Sequence, residues 1–563
     1  MRWSIKPKPE SDKINALVEA LQVDPIVASL LVQRGIETYE EAKLFFRPDL
    51  NHLHDPFLMK DMDRAVQRIE LAISNDERIL VYGDYDVDGT TSVALMSSYL
   101  ETKHDKVSTY IPDRYEEGYG VSIKGIDFAY DNDFKLIIAL DCGIKAVDKV
   151  EYANTKGIDF IICDHHRPGG ELPDAVAILD PKREDCEYPY KELCGCGVGF
   201  KLVQAIASLH KETVEDLTGY LDLVATAIAA DIVPITGENR VLAYFGLQVI
   251  NQSPRPGIEA ILKQIRKDHF NITDVVFIIA PRINAAGRME HGNHAVSLLK
   301  ETDLNLAAQY AMEIDQFNTD RKEADKEITK AALQQIEDLG EQQHYTTVVY
   351  DPDWHKGVIG IVASRLIETY YRPTIVFTKS GEDLAASARS VKGFDVYNAI
   401  DACSEFIVQF GGHKYAAGLT IKENNYKQFK QKFEEVVANS IAEHMRVREV
   451  TVDTEIKIGQ ITARLFRILS QFAPFGPGNM MPVFMTESLK DTGYAKCVGD
   501  EQQHLKFSIT QNGSNKINAI GFNLGNKIET IQNRKPFKAV YTIDENHWNG
   551  KVSLQLKVKD LKM

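Results

Sequence analysis

The sequence predicts an α/β protein of several domains: a parallel-sheet domain, a long connecting helix, a second α/β domain and a C-terminal β-barrel. Three observations support this prediction. Short β-branched runs alternate with helical segments from about residue 78, a charged stretch without proline follows them, and the C-terminal segment alternates apolar and polar residues. With 563 residues, the chain is also too long for a single hydrophobic core.

The composition is that of a folded globular protein. Hydrophobic residues make up 44% of the sequence and charged residues 26%, which provides enough apolar area for several cores. The first ten residues, MRWSIKPKPE, lack the apolar stretch of a secretory signal, and no later run approaches the length of a membrane span. The seven cysteines include no C-x-x-C pair, which indicates reduced thiols. We therefore expect a cytoplasmic protein with no membrane partner.

The charge is unevenly distributed along the chain. The net charge is −16, yet residues 446–563 contain 17 Lys and Arg against 11 Asp and Glu, a net charge of +6, which leaves −22 for residues 1–445. A basic surface is expected where a protein binds a polyanion. The C-terminal segment is therefore the part of the chain suited to binding nucleic acid.

The first two predicted regions are a helical segment and an α/β domain. Residues 1–70 show apolar spacings of three and four in Lys13–Leu21, Pro25–Arg34 and Tyr39–Phe46, which predict a helical cap or small subdomain. Residues 71–298 contain four short apolar runs separated by helical segments: ILVYG at 79–83, LIIAL at 136–140, DFIIC at 159–163 and VAIL at 176–179. This alternation is typical of a parallel sheet covered by helices.

The rest of the chain divides into three predicted segments. Residues 299–343 are charged, with a single glycine near the end, and predict one long connecting helix. Residues 344–445 begin with the strand-like TTVVYD and contain Gly-rich turns at 357–360 and 411–412, as a second α/β domain would. Residues 446–563 contain the runs HLKFSIT, INAIGF, FKAVYTI and VSLQLKV, for which a small β-barrel is the expected closure.

Acidic and imidazole side chains directly follow the strands of the first predicted sheet. They are Asp84, Asp86, Asp88, Asp141, Asp164, His165 and His166. Asp231 closes the apolar stretch LDLVATAIAA and could reach the same crevice. Ligands of open α/β sheets bind beyond the carboxyl ends of the strands, so these side chains are expected to converge.

A cleft with so many carboxylates indicates bound cations, because the unneutralised charges would repel one another. Carboxylate oxygens with one or two imidazoles suit Mn²⁺ or Mg²⁺, whereas zinc more often recruits Cys or additional His. Two such ions about 3.5–4 Å apart would clamp a phosphoryl group and activate water for attack. Any single Asp could instead cap the following helix, but the recurrence at successive strands favours a metal site.

The motifs GDYDVDG at 83–89, DCG at 141–143 and DHH at 164–166, together with a series of further segments, resemble the DHH phosphoesterase superfamily and, within it, the RecJ family of single-strand-specific 5′-to-3′ DNA exonucleases. These three motifs have the order and spacing of the superfamily. The segments that look like RecJ are RGIETYEEAKLFF at 34–46, IPDRYEEGYG at 111–120, CGCGVGFKL at 194–202, ADIVPITGENR at 230–240 and PRINAAGRM at 281–289. WHKGVIGIVASRL at 354–366 and GGHKYAAG at 411–418 resemble the DHHA1 substrate-binding domain, and FAPFGPGN at 472–479 resembles the RecJ OB-type barrel.

This resemblance covers nearly the whole chain and implies both fold and function. The expected fold is a DHH domain joined by the long helix to a DHHA1 domain, with a C-terminal OB-type barrel. The expected activity releases 5′-mononucleotides from single-stranded DNA by two-metal-ion hydrolysis, with Mn²⁺ or Mg²⁺, in DNA recombination and repair. The expected partners are single-stranded DNA with a 5′ end, a single-strand-binding protein and a RecQ-type helicase. Some family members continue into a further C-terminal domain used for partner contacts, so partner binding stays open.

The resemblance also implies roles in the catalytic centre. The implied metal ligands are Asp84, Asp86, Asp141, His165 and Asp231. Asp164 would orient its neighbouring imidazole, as metal-bound His usually requires, and His166 would stabilise charge on the scissile phosphate. Asp88 would either bind metal or cap the helix that follows it.

Substrate-binding residues are implied in both α/β domains. Arg114, Arg288, Ser387 and Arg389 would bind the 5′-terminal phosphate, for which the planar fork of Arg is suited. Arg282, Asn284, His355 and His413 are further candidates, although each histidine beside its glycines could equally be an ordinary turn residue. Candidates for base stacking in the barrel, most of them expected in its core, are Phe475, Phe484, Tyr494, Phe522 and Trp548.

Two other functions fit parts of the sequence. A DHH phosphodiesterase for short oligoribonucleotides or cyclic dinucleotides generally lacks a nucleic-acid-binding barrel, so the basic C-terminal segment weighs against it. An inactive relative serving as a scaffold would have lost ligand residues, and every implied ligand is present. Residues 195–201 hint at a phosphate loop, but no Ser or Thr follows Lys201, so nucleoside triphosphate binding is not expected.

Overall fold

The structure is a computed structural model that describes residues 1–513, 515–532, 535–548 and 550–563, with the side chain of Trp548 outside the described part. The chain divides into two compact units. The larger unit comprises residues 3–284, 292–311 and 450–563, and the smaller unit comprises residues 1–2, 285–291 and 312–449.

The N-terminal helices are formed as predicted. The elements are β1 (Arg2–Ile5), α1 (Ser11–Leu21), α2 (Pro25–Val32), α3 (Tyr39–Phe46) and α4 (Met62–Ser74). Local capping fixes their starts: Asp24 accepts a hydrogen bond from the Ile26 amide, and Thr38 and Glu41 form a capping box. The buried hydrophobic residues of α1, α2 and α3 belong to the same core as the C-terminal barrel.

The first sheet is entirely parallel, as predicted. Its strands are β2 (Arg78–Gly83), β3 (Val107–Tyr110), β4 (Phe134–Leu140), β5 (Asp159–Cys163) and β6 (Ala177–Leu179), in the order β3-β2-β4-β5-β6. The four predicted apolar runs are confirmed as strands. The edge strand β3 was not predicted, because its sequence VSTY is half-buried throughout and lacks an apolar run.

Helices pack around this sheet. They are α5 (Val87–Leu100), α6 (Ile123–Asp131), α7 (Val147–Thr155), α8 (Gly195–Leu209), α9 (Leu221–Ala230), α10 (Gly237–Gln252), α11 (Pro256–Lys263), α12 (Ile272–Asp274), α13 (Ala280–Met289) and α14 (Asn293–Lys300). Almost every residue of α5, α8 and α9 is buried, so these helices form the interior of the larger unit.

The predicted connecting helix is confirmed as α15 (Leu304–Asp338), a single helix of 35 residues. It leads into the second α/β region, which contains β7 (Thr347–Tyr350), α16 (Ile359–Thr369), β8 (Thr374–Ser380), β9 (Asp383–Arg389), α17 (Val396–Asp401), β10 (Ile407–His413), β11 (Ala416–Lys422) and α18 (Tyr426–Ser440). The sheet order is β10-β11-β9-β8-β7, and only β7 and β8 are parallel.

The predicted C-terminal barrel is also confirmed. Its elements are β12 (Glu449–Val452), β13 (Thr454–Glu455), α19 (Ala463–Ser470), β14 (Phe484–Asp491), β15 (Lys496–Val498), β16 (His504–Thr510), β17 (Ile517–Gly521), α20 (Ile528–Gln532), β18 (Phe537–Trp548) and β19 (Lys551–Lys562). Pairing of β14 with β16 closes the ring β14-β18-β19-β17-β16, and β12 pairs with β1.

The helices of the described residues are short or polar compared with membrane spans. No single helix among them is both long and apolar enough to cross a bilayer, and α1 and α2 reach the necessary length and hydropathy only as a pair bent by 119°.

Candidate metal centre

The carboxyl ends of β2, β4 and β5 bring the predicted acidic residues to one edge of the sheet. Asp84 directly follows β2 and is fully buried, and its Oδ1 accepts a hydrogen bond of 3.5 Å from the Gly120 amide. Asp86 is the N-cap of α5 and accepts a hydrogen bond of 3.0 Å from the Gly89 amide. Asp86 therefore caps α5 through one carboxylate oxygen, and its role as a metal ligand stays a prediction.

Asp141 occupies a strained and closely packed position after β4. It is only 2% exposed, its φ of 57° lies in the left-handed region, and its amide donates to the Cys163 carbonyl at 2.8 Å. The first residue of α8 packs directly against it: a Cβ added to Gly195 would lie 2.5 Å from the Asp141 Cβ. The start of α8 therefore fixes where the Asp141 carboxylate points.

The two histidines of the Asp-His-His triplet make different contacts with Asp164. The Asp164 carboxylate accepts hydrogen bonds from the amides of Ile144 and His165 at 2.9 and 2.7 Å and contacts Nδ1 of His166 at 2.8 Å. Asp164 thus orients the ring of His166, whereas it holds only the backbone of His165.

The His165 ring lies at the centre of the cluster. Its Nε2 is 3.2 Å from the nearest oxygen of Asp141, 3.6 Å from that of Asp231 and 3.8 Å from that of Asp88. One group of potential ligand atoms from Asp141, His165 and His166, and a second from Asp88, His165 and Asp231, each lie within 4.8 Å of one another. Side chains that are far apart in the sequence therefore share one centre.

Asp88 has a structural partner that the sequence did not indicate. Its two carboxylate oxygens accept hydrogen bonds of 2.7 Å from the amides of Gly195 and Cys196, the first residues of α8. Asp88 therefore caps α8 and not the helix that contains it. The same carboxylate lies 3.8 Å from Nε2 of His165, so one group both caps α8 and faces the candidate metal centre.

Electrostatics in the metal-free centre reflect burial of several carboxylates. Burial, followed by repulsion from Asp86, raises the pKa of Asp84, and burial, followed by repulsion from Asp88, raises that of Asp141. Burial and neighbouring carboxylates raise the pKa values of Asp88 and Asp231 to about 7. The cluster resists full ionisation unless positive charge enters it.

The two imidazoles differ in protonation. Burial lowers the pKa of His165, which favours the neutral ring that a metal requires. For His166, burial is outweighed by the hydrogen bond and charge of Asp164, which raise its pKa to about 8. Asp164 itself is buried, but its hydrogen bond from His166 and those from neighbouring amides lower its pKa to about 2.

The donor set fits a hard divalent cation. Among the described residues, the buried atoms without a hydrogen-bond partner include Asp84 Oδ2, Asp141 Oδ1 and both ring nitrogens of His165. Such atoms are costly to bury, and an ion bound between carboxylate oxygens and a neutral imidazole satisfies them together. Carboxylates with a single central imidazole are the ligands that suit Mn²⁺ or Mg²⁺.

Two residues beside the centre were not assigned a role from the sequence. The hydroxyl of Tyr119 lies 3.4 Å from Nε2 of His166 and 3.4 Å from the Asp141 carbonyl, and the residue is 54% exposed. Gly195 lies in the motif CGCGVGFKL, and its contact with Asp141 joins segments more than fifty positions apart. The motif IPDRYEEGYG contains Tyr119, but its contact with His166 likewise depends on tertiary structure.

The predicted substrate-binding residues fall into both units. In the larger unit, Arg114 stacks over the Tyr85 ring at 4.7 Å and the Arg282 guanidinium donates to the Ile278 carbonyl at 2.9 Å; Asn284 is half-buried on α13. The larger unit thus contains the metal centre together with three of these candidates.

The other candidates belong to the smaller unit. The Arg288 guanidinium donates to the Gly357 carbonyl at 3.0 Å, and His355 Nδ1 accepts a hydrogen bond of 3.1 Å from the Gly357 amide. Ser387 and Arg389 share one face of β9, with Arg389 Nη1 donating to Ser387 Oγ at 2.9 Å. His413 ends β10 opposite Ala416, which in turn pairs with Arg389.

Of the four described barrel rings named above, two lie in or against the core and two are exposed, so fewer are in the core than expected. Phe484 is 1% exposed and belongs to the core, and Phe475 packs against that core. Tyr494 and Phe522 are 71% and 55% exposed. The side chain of Trp548 lies outside the described residues.

Comparisons with known proteins identify three family models in successive parts of the chain. Three family models match: the DHH family, N-terminal domain, over residues 78–228, the DHHA1 domain over residues 342–439 and the RecJ OB domain over residues 452–560. The single-stranded-DNA-specific exonuclease RecJ of Bacillus subtilis is 38% identical over 566 residues, covering 100% of this chain and 70% of the relative.

Two solved structures also match the chain over its whole length. RecJ of Thermus thermophilus in complex with Mn²⁺ matches with a TM-score of 0.86 and 26% identity, over 100% of this chain and 79% of that one. Its complex with Mg²⁺ matches with a TM-score of 0.78 and 25% identity, over 100% and 78% of the two chains. Because the identity to the Bacillus relative extends over the full length of the sequence, this chain belongs to the RecJ family.

Proposed function

We propose that the chain is a metal-dependent exonuclease that degrades single-stranded DNA from its 5′ end and releases 5′-mononucleotides, in DNA recombination and repair. The observation that carries the proposal is the convergence of Asp88, Asp141 and Asp231 within 3.8 Å of one ring nitrogen of His165. Relatives named single-stranded-DNA-specific exonuclease RecJ support the substrate.

Two Mn²⁺ or Mg²⁺ ions would be held by Asp84, Asp86, Asp141, His165 and Asp231. Asp88 is positioned to contribute as well, since its carboxylate lies 3.8 Å from His165 while it caps α8. When bound, such ions neutralise the carboxylates and supply Lewis acidity toward a phosphodiester and a water nucleophile. The carboxylates themselves fix the site, because each follows a strand or caps a helix of the buried interior.

His166 would place positive charge against the scissile phosphate. The Asp164 carboxylate holds its ring at Nδ1, which leaves Nε2 directed away from Asp164 toward Tyr119. Despite burial, Asp164 raises the pKa of this ring to about 8 in the metal-free centre, and the protonated ring can donate from Nε2. Asp164 thus acts by orienting and charging His166.

The 5′-terminal phosphate would be bound by Arg114, Arg288, Ser387 and Arg389. In the smaller unit, Arg389 and Ser387 lie side by side and pack against Gly360 in the first turn of α16. A guanidinium, a hydroxyl and the positive end of a helix are a combination that favours a phosphate dianion. Holding the strand by its terminal phosphate would explain removal of nucleotides from the 5′ end.

The barrel would bind the strand farther from its end. Lys496 and Lys506 are exposed register partners on β15 and β16, Lys516 lies 5.8 Å from the ring of the exposed Tyr494, and Phe522 is exposed beside β17. Cationic and aromatic side chains on one barrel are suited to single strands, since the charges attract phosphates and the rings stack on bases.

End-labelled substrates test the proposed function. We expect mononucleotide products from 5′-phosphorylated single-stranded DNA with Mn²⁺ or Mg²⁺, little product from blunt duplex DNA and none with chelator. Digestion from a 3′ end, or equal digestion of duplex, would contradict the proposal. Efficient hydrolysis restricted to cyclic dinucleotides or short oligoribonucleotides would instead support the phosphodiesterase alternative.

The location of the protein in the cell and its protein partners are proposals as well. We infer a cytoplasmic protein that receives its strands from a RecQ-type helicase and contacts a single-strand-binding protein, as the family resemblance implies. Co-purification of the tagged chain with each purified candidate, with and without single-stranded DNA, measures these contacts.

A further inference from the structure

We propose that the barrel positions a metal ligand: residues 472–479 (the barrel loop) and Arg240 hold residues 231–239 (the ligand segment) in the conformation that presents Asp231 to the metal centre. This inference rests on the metal site proposed above. The barrel then both binds the strand and positions a metal ligand, and Arg240 is a positioning residue.

The ligand segment contains a strained residue next to Asp231. Ile232 has a φ of 59°, and the residue is 64% exposed, so burial of its own apolar surface does not compensate for the strain. A β-branched residue in the left-handed region is a genuine outlier, because its Cβ clashes with the backbone. Such strain persists only where the surrounding structure fixes the backbone on both sides.

On the N-terminal side, α9 fixes the segment. Asp231 is the C-cap of this buried helix, and its amide donates to the Ala227 carbonyl at 2.9 Å. On the C-terminal side, the Pro234 carbonyl accepts hydrogen bonds from the Tyr190 hydroxyl at 3.2 Å and from Asn239 at 3.0 Å.

The barrel loop supplies the remaining backbone contact. The Ile235 amide donates to the Pro477 carbonyl at 2.7 Å, which is a direct main-chain bond between the two segments. Gly476 lies so close that a Cβ added to it would overlap the Ile235 side chain. The path from Asp231 to this bond is four residues long and includes the strained Ile232, so a shift of the loop is transmitted to the ligand.

Arg240 joins the loop to the start of α10. It is 5% exposed, its Nη1 donates to the Phe472 carbonyl at 2.8 Å, and its Nη2 donates to the Ala473 carbonyl at 3.0 Å. The same guanidinium donates to the Phe45 carbonyl at 3.1 and 3.0 Å. A planar fork reaches these carbonyls together, whereas the point charge of Lys cannot.

Side-chain hydrogen bonds of Asn479 hold the barrel loop in its conformation. Asn479 donates to the carbonyls of Phe472 and Pro474 at 2.7 and 2.9 Å, and its side-chain oxygen accepts from Arg34 at 2.9 Å. These bonds tie the two ends of the loop to each other and to the residues just after α2. Asp231 gains most from such support, because its side chain is 32% exposed while those of Asp88 and Asp141 are 2% exposed.

Three variants of the full chain test the inference, with Mn²⁺ alone as the probe. Mn²⁺ affinity, measured by calorimetry, should fall about tenfold in each of Arg240→Lys, Gly476→Ala and the milder Asn479→Ala. Each substitution disturbs a contact that holds a metal-ligating residue in place. Hydrogen exchange of the Ile235 amide should accelerate, while exchange in β4 and β5 stays unchanged. Added Mn²⁺ should restore turnover.

Arg372→Lys is the matched control. Arg372 is also a buried arginine, 4% exposed, that donates to the backbone carbonyls of Glu341, Gln342 and His344, and it belongs to the smaller unit. It should lower the melting temperature without changing Mn²⁺ affinity.

The outcomes separate this inference from the metal site itself. Wild-type Mn²⁺ affinity in the folded variants would overturn the positioning role, as would unchanged exchange at Ile235. Equal loss of Mn²⁺ affinity in Arg372→Lys would also overturn it, because the effect would then follow general destabilisation. A wild-type chain that binds no Mn²⁺ would refute the metal centre and, with it, the inference.

Discussion

Asp141 combines three features that each oppose folding of the metal-free protein. It is buried, it adopts a left-handed backbone conformation, and one carboxylate oxygen has no hydrogen-bond partner among the described residues. Each feature costs stability in the metal-free protein. Their presence together at a predicted ligand is what a binding site for a cation would require.

The first prediction concerns Asp141→Asn, a substitution that keeps the side-chain shape and tolerates a positive φ. We expect turnover to fall by at least about a hundredfold, since a ligand is lost. The melting temperature in chelator should stay equal or rise, because Asn cannot ionise beside the other buried carboxylates. Retained turnover in a preparation free of other nucleases would refute the assignment of Asp141.

The second prediction concerns pH. Burial and nearby carboxylates raise the pKa values of Asp88 and Asp231 to about 7 in the metal-free protein. A carboxyl group with a raised folded-state pKa contributes stability at low pH that is lost as pH rises through about 7. Cations bind the deprotonated carboxylates of Asp88 and Asp231, so bound metal restores the stability that is lost at higher pH. Saturating Mg²⁺ should therefore raise the melting temperature more at about pH 8 than at about pH 6.

Differential scanning calorimetry at both pH values, with Mg²⁺ or chelator, measures this effect. Asp141→Asn provides the control, because a centre that binds metal poorly should show a small shift at either pH. An equal Mg²⁺-induced shift at both pH values in the unsubstituted chain would contradict the prediction.

The third prediction concerns Arg389→Lys. Arg389 and Ser387 form the proposed phosphate contact on β9, and Lys keeps the charge but loses the planar fork. We expect the preference for 5′-phosphorylated over 5′-hydroxyl strands, measured as a ratio of kcat/KM values, to fall about tenfold, or about 1.4 kcal/mol. Arg365→Lys, an exposed arginine on α16, is the control, and an unchanged ratio in Arg389→Lys would remove it from the pocket.

At the scale of elements, the sequence predicted those parts of the fold that have a local pattern. Strands β2, β4, β5 and β6 were predicted because buried parallel strands are apolar throughout. Strand β3 was missed because all four of its residues are half-buried and it contains no apolar run. The role of Asp88 could not be decided, because its partners at the start of α8 lie 107 and 108 positions away.

The fourth prediction concerns the start of α8. Gly195→Ala should displace Asp141, since the new Cβ would lie 2.5 Å from the Asp141 Cβ, and should weaken Mn²⁺ binding by about tenfold or more. Gly197→Ala is the matched control in the same helix, because its Cβ would meet no atom nearer than 3.4 Å. That variant should keep Mn²⁺ affinity and gain roughly 0.5–1 kcal/mol of stability. Equal Mn²⁺ affinity in both variants would contradict the proposed contact.

At the scale of the whole molecule, the sequence located the barrel but could not predict what the barrel packs against. Helices α1, α2 and α3 share one core with β14, β16, β18 and β19, although they lie at opposite ends of the chain. Local patterns identify apolar faces without identifying their partners. Deleting residues 446–563 would expose this shared core, so surface substitutions test strand binding more cleanly than truncation.

The fifth prediction uses such substitutions. Replacing the exposed Lys496, Lys506 and Lys516 by Gln should weaken binding of single-stranded DNA at low salt. If each lysine contacts one phosphate, the slope of log affinity against log salt concentration should fall by about 2, since each contact contributes roughly 0.7 for single strands. Turnover at saturating DNA should not change, because these residues lie outside the metal centre.

The matched control replaces Lys322, Lys326 and Lys330 of α15, which are also exposed, and should leave the slope unchanged. Equal slopes for the two triple variants would show that the barrel lysines do not bind the strand, and net charge alone would then account for any loss of affinity.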